Sequence, residues 1–129
     1  MSLPRFAIAI LAAATLAPAA QAAEFRNFDR ATFAAAQAQG RPILVDVAAW
    51  WCPVCLQQNG KIKSITADPA YSNLLVLKIN YDKQKDEWRS LGVQKQATLI
   101  AFHGRRETGR LQYRVNKAEI AEVIAATGR

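Results

Sequence analysis

The chain has 129 residues, a formal net charge of +7 and 51% hydrophobic residues, with two cysteines and a single histidine. That length holds one domain, and two cysteines with one histidine fall short of the four ligands of a closed zinc site within one chain. Lys and Arg are scattered, with Arg105-Arg106 the densest pair and no aromatic stacking platform or nucleic-acid motif beside them, so no nucleic-acid partner is expected.

Arg5 precedes an apolar run over residues 6–16, followed by Pro18 and Ala20-Gln21-Ala22. A positive n-region, a short h-region and an A-x-A site predict a secretory signal peptide over residues 1–22, cut after Ala22. The run is shorter than the roughly 20 residues that span a bilayer. An uncleaved anchor is the alternative; cleavage leaves one domain, residues 23–129, with no stable membrane insertion.

Asp29 caps a helix to about residue 39, with Phe33 on its inner side and Gly40 as its stop. Pro42 opens a strand over 43–48 whose near-continuous apolar run suits burial on both faces. A helix starts at Cys52 or Pro53 and runs to about residue 65, where Asp68-Pro69 breaks it. Residues 74–81 alternate as a second central strand. Asp82 begins a helix carrying Trp88 and Leu91 and closed by Gly92. Residues 98–102 form a third strand, 103–109 a turn and 110–114 its hairpin partner. Asn116 and Glu119 make a capping box for a last helix carrying Ile120, Val123 and Ile124. The order α-β-α-β-α-β-β-α implies an α/β fold, a central mixed β-sheet with helices on both faces.

The chemistry centres on Trp51-Cys52-Pro53-Val54-Cys55, at the exit of the first buried strand. A purely structural disulfide is a poor explanation, because so small a loop removes little unfolded-state entropy. An intramolecular zinc site lacks ligands; an intermolecular one stays open. A redox dithiol fits best. Cys52, at a helix N-terminus and with the more exposed sulfur, is expected to attack a partner's disulfide, and Cys55, one turn inward, to resolve the mixed disulfide. Asp46, a carboxylate inside an apolar strand, is the candidate proton acceptor for Cys55; a strand-end residue bonded to backbone or water is the alternative. Trp51 is expected to shield the sulfurs and offer a docking surface, and Trp50 to pack.

These residues carry a resemblance. Ile43-Leu44-Val45-Asp46, then Trp51-Cys52-x-x-Cys55, Leu91-Gly92-Val93 and Thr98-Leu99-Ile100-Ala101-Phe102 resemble the thioredoxin family over nearly all of residues 23–129. Within it the chain is similar to exported, reducing members such as the periplasmic C-terminal domain of the transmembrane thiol:disulfide interchange protein. The resemblance implies a thioredoxin-like fold and a protein-disulfide reductase, with Cys52 attacking, Cys55 resolving and Asp46 as the buried acid. It implies no cofactor or metal, a periplasmic location, disulfide-bearing periplasmic proteins as partners and a membrane electron donor.

The family places a cis-proline immediately before the residue matching Thr98; here Ala97 stands there. A cis bond before alanine costs roughly 2.5–4 kcal/mol, so the Gln96–Ala97 peptide is expected to be trans and the loop facing the sulfurs reshaped. In relatives the backbone before that proline pairs with the substrate strand, which makes Gln96 and Ala97 substrate-facing together with Trp51, Pro53 and Val54. A looser loop would leave the dithiol open to metal, with His103 or a second molecule as ligand source, but the leading reading of His103 is that it caps the strand over 98–102 at the surface. Two further readings follow: a non-catalytic metal- or partner-binding module, and an oxidant of folding proteins, against which no inserted helical domain is seen.

Overall fold

The computed structural model describes residues 1–4, 13–17 and 21–129. Residues 5–12 and 18–20 lie outside these, and with them half of the expected signal peptide. Among the described residues five strands, β1 (Glu24–Asn27), β2 (Pro42–Ala48), β3 (Leu75–Asn80), β4 (Thr98–His103) and β5 (Arg106–Gln112), form one sheet in the order β1-β3-β2-β4-β5. The helices are α1 (Arg30–Ala38), α2 (Pro53–Thr66), α3 (Lys85–Ser90) and α4 (Lys117–Ala126). β1, β3 and β2 run parallel, whereas β4 is antiparallel to β2 and to β5.

The period-two alternation of the central strands divides the core. Ile43, Val45 and Val47 join Leu75, Leu77, Ile79 and Ile100 beneath Phe33 of α1 and Trp88 of α3. Leu44, Val76, Leu99 and Ala101 meet Ile62 of α2 and Ile120, Val123 and Ile124 of α4 on the opposite face. Both faces of β2 are covered, which is why its sequence is almost unbroken in apolar residues. Asp46 shares the parity of Leu44 and lies in register between Lys78 and Leu99. It therefore belongs to the α2 face, the face of the helix that carries Cys55.

Local signals account for most boundaries. Asp29 Oδ1 accepts the Thr32 N–H at 2.8 Å, and Asn116 Oδ1 accepts those of Ala118 and Glu119 at 2.9 and 3.2 Å. The reciprocal half of the expected capping box is not made, because the Glu119 carboxylate takes the Arg114 guanidinium instead, at 2.8 and 2.9 Å. Gly40 ends α1 with φ 68°.

Three expectations are corrected. β1 was not foreseen: its four residues are all exposed, so no alternation marks it, and it exists because the open edge of β3 accepts it. α3 begins at Lys85 rather than Asp82, since Asn80 Oδ1 accepts the N–H groups of Asp82 and Lys83, both at 3.1 Å, and holds them in a turn. The hairpin turn is confined to the residues around Gly104 (φ 59°), so β5 starts at Arg106 and contains Gly109. Gly109 acts by close approach: a Cβ there would lie 3.3 Å from the Ala126 Cβ of α4 and 3.5 Å from Val123 Cγ2.

Candidate active site

β2 delivers the chain to the site. After Ala48 it turns through Ala49-Trp50-Trp51, with the Cys52 N–H donating to the Ala49 carbonyl at 3.2 Å. Cys52 is the N-cap of α2: its backbone is extended, Pro53 occupies the first helical turn, and its Sγ accepts the Cys55 N–H at 3.1 Å. This sulfur therefore sits where the helix dipole and an unpaired amide favour negative charge. Cys52 and Cys55 form a disulfide, with Cα atoms 5.2 Å apart.

In this oxidised state the two cysteines are 1% and 4% exposed. The expectation that Cys52 is the more open of the two does not hold here, because Ala49 and Ala97 pack against both and Val54 closes in from the helix. Pro53 is exposed beside them.

Ala97 departs from expectation in an instructive way. The peptide before it is trans, as foreseen, but the loop is not loosened. Ala97 adopts the left-handed conformation (φ 58°), is wholly buried, and keeps its wall against the sulfurs. Its N–H, which a proline lacks, donates to the Val47 carbonyl at 2.8 Å, and its carbonyl accepts the Tyr113 N–H at 2.8 Å. The neighbouring Gln96 is half-buried, its side chain 3.4 Å from the Tyr113 hydroxyl. Among the described residues neither the backbone N–H nor the carbonyl of Gln96 makes a hydrogen bond.

Aromatic rings form one rim. Trp51 donates from Nε1 to Asp82 Oδ2 at 2.9 Å and meets Tyr81 edge-on at 6.4 Å; Tyr81 stacks on Trp88 at 4.9 Å. Asp82, read from sequence as a helix start, instead anchors this indole. Trp50 was expected to pack but is 83% exposed, and Leu56 beside it on α2 is exposed as well.

Asp46 is 2% exposed, and its Oδ1 has no hydrogen-bond partner among the described residues. Burial pushes its pKa up from 3.8 to about 6, with the nearby Lys78 charge offsetting part of the rise. A base with such a value is matched to proton transfer near neutral pH. A cleft of about 460 Å³ runs from Trp50 and Leu56 past Cys55 and Asn59 to Lys78, the cross-strand neighbour of Asp46. Solvent thus reaches the Cys55 side of the pair.

His103 is not part of the site. It faces Pro42 at the far end of β2, about 20 Å of strand from Ala48, with its Nδ1 2.9 Å from the Thr127 carbonyl. The reading that made it a third metal ligand beside the dithiol is overturned. Lys78 and Gln58 were not singled out from the sequence. Lys78 had no local signal, whereas Gln58 had one: Cys55, Gln58, Ile62 and Thr66 share helical spacing and are the buried residues of α2.

A cysteine pair capping the helix after the central strand, above a buried carboxylate, defines a protein that makes and breaks disulfides. The thioredoxin family model matches residues 24–126, and the chain belongs to the thioredoxin family. Among solved structures it is similar to Trxlp of Edwardsiella tarda, with 35% identity, a TM-score of 0.75, and 78% of this chain and 98% of that one covered. Thioredoxin NaTrxh of Nicotiana alata (23% identity, TM-score 0.69, 81% and 91% covered) and spinach chloroplast thioredoxin F (19%, 0.68, 85% and 96%) share the fold. No curated protein sequence matches the chain. With Cys52 and Cys55 in disulfide contact on this fold, the protein is a thiol:disulfide oxidoreductase.

Proposed function

We propose that this oxidoreductase is exported to the periplasm and works there in the reducing direction on disulfide-bearing proteins, recharged by a membrane electron donor. The observation that carries the direction is the poverty of charge stabilisation around Cys52. Strongly oxidising members owe their potential to a stabilised reduced form. Here the Cys52 thiolate has the α2 N-terminus and the Cys55 N–H, the two residues inside the motif are the uncharged Pro53 and Val54, and a carboxylate, Asp46, lies on the α2 face of the sheet behind them.

In the forward reaction the Cys52 thiolate attacks one sulfur of the partner's disulfide, and the other partner sulfur leaves as thiolate and takes a proton. Asp46 accepts the Cys55 proton; the Cys55 thiolate then attacks Cys52 Sγ, releasing the second partner thiol and the Cys52–Cys55 disulfide. Two electrons and two protons from the donor restore the dithiol. Trp51, Pro53, Val54 and Gln96 face the incoming chain, while Ala97, expected there too, is wholly buried behind them with both backbone groups already bonded. The unpaired backbone of Gln96 offers main-chain hydrogen bonds to an extended segment.

Export rests on the n-region, h-region and A-x-A pattern of residues 1–22. Cleavage after Ala22 leaves the folded domain whole, since Ala23 N–H donates to the Thr66 carbonyl at 3.1 Å and β1 opens at Glu24. The test is to express the full chain in a Gram-negative host, fractionate it and trap its thiols with an alkylating agent. The expected result is a periplasmic protein beginning at Ala23 with Cys52 and Cys55 mostly reduced. A cytoplasmic chain contradicts export, an uncleaved chain contradicts the cut after Ala22, and a fully oxidised pair contradicts the reducing role.

A further inference from the structure

Gln58 is wholly buried on the inner face of α2, one turn behind Cys55. Its Nε2 donates to two backbone carbonyls outside its own helix, Ala97 at 3.1 Å and Arg114 at 2.9 Å. Two carbonyl partners fix the orientation of the amide, since the flipped form sets oxygen against oxygen. Its Oε1 is in consequence buried with no partner among the described residues. A leucine of similar volume leaves no such orphan, so the amide is there for what its donor end holds.

What it holds is strained. Ala97 and Tyr113 both have φ 58°, and among the described residues they are the non-glycine positions in the left-handed region. For a residue as bulky as tyrosine this is an outlier, and such conformations persist only where the surroundings over-determine them. The two are tied to each other by the Tyr113 N–H on the Ala97 carbonyl. Gln58 binds that same carbonyl and the carbonyl of Arg114, the residue after Tyr113. One turn along α2, Lys61 Nζ reaches the Val115 carbonyl at 2.5 Å and fastens the same segment. The helix that carries Cys55 thus clamps the loop that faces Cys55.

We infer that Gln58 is a positioning residue for exchange with protein disulfides: its two hydrogen bonds hold the Gln96–Ala97 backbone opposite the sulfurs, supplying the constraint that a proline ring would otherwise impose. The inference rests on the dithiol exchange described above. It concerns the docking of an extended chain and leaves thiol chemistry on small molecules untouched.

The test compares Gln58→Leu with the parent in the reduction of insulin and of 5,5′-dithiobis(2-nitrobenzoate), a small disulfide that needs no backbone pairing. The expected result is a fall of about tenfold in kcat/KM for insulin, carried by KM, with the small disulfide reduced within about twofold of the parental rate. Amide hydrogen exchange at Ala97 and Tyr113 should quicken while that of β2 is unchanged. Any other pattern of the two rates, equal losses or no loss, overturns the inference and leaves Gln58 a packing residue. Should Gln58→Leu fail to fold, Gln58→Asn, which keeps the amide but is one methylene too short to span both carbonyls, is read by the same comparison. A parent inert toward the small disulfide would contradict the exchange chemistry itself, which separates that failure from this one.

Discussion

Cys52→Ser lowers insulin reduction by at least about a thousandfold, while Cys55→Ser still makes the first attack and accumulates as a mixed disulfide with its substrate. The asymmetry follows from the two positions. Cys52 is the N-cap of α2, its Sγ already accepting the Cys55 N–H, so the first bond to an incoming disulfide belongs to it. Serine is itself a favourable N-cap and keeps that hydrogen bond, so the variant remains folded and its loss is a loss of chemistry. Nor does the missing disulfide unfold the domain, because a ring closed across two intervening residues constrains the unfolded chain little. Mass spectrometry of Cys55→Ser after incubation with insulin should show the covalent adduct; an adduct formed by Cys52→Ser instead reverses the assignment of the two sulfurs.

Asp46→Asn stabilises the protein by about 3 kcal/mol at pH 7 and at the same time slows resolution by roughly a hundredfold. The stability gain follows from burial. The folded carboxyl has its pKa raised to about 6, while the unfolded one titrates near 3.8. Between these values the folded state holds the proton that the unfolded state has released, so stability falls as pH rises through this window. Below about pH 4 both states are protonated and Asn gives no advantage; above pH 6 the full difference appears. Denaturant unfolding of both proteins at pH 4 and pH 7 reads this directly. The kinetic loss arises because Asn accepts no proton from Cys55: the parental resolution rate should rise through an inflection near pH 6 that the variant lacks. A parent–variant stability difference that is the same at pH 4 and at pH 7 would mean that Asp46 is solvated in the folded protein.

The fold was legible where burial forces a pattern. The near-continuous apolar run of β2, sandwiched on both faces, and the caps Asp29 and Asn116 all declare themselves locally. β1 was invisible because an exposed edge strand of four residues needs only a free sheet edge and no hydrophobic signal. Gly109 misled for a physical reason: glycine marks both tight turns and close approaches, and only the packing of α4 decides which.

The site was legible to a different degree at each residue. The spacing of Asp46, Cys52 and Cys55 is written in the sequence because the strand, the cap and the helix turn fix all three. The exposure of Cys52 was not, since the covering comes from Ala97, forty-odd residues away, in a conformation that alanine seldom takes. The absence of proline at residue 97 suggested a missing wall; the wall is present because Gln58, Tyr113 and Val47 supply hydrogen bonds that hold it. Such a substitution of one constraint by several others appears only when the chain is folded.

Equilibration of the Cys52–Cys55 pair against glutathione redox buffers tests the reducing role most directly. The account predicts a potential below about −200 mV, toward the −270 mV or so of thioredoxin, because little besides a helix terminus stabilises the Cys52 thiolate. A potential near −120 mV, the oxidising end of the range, would contradict it.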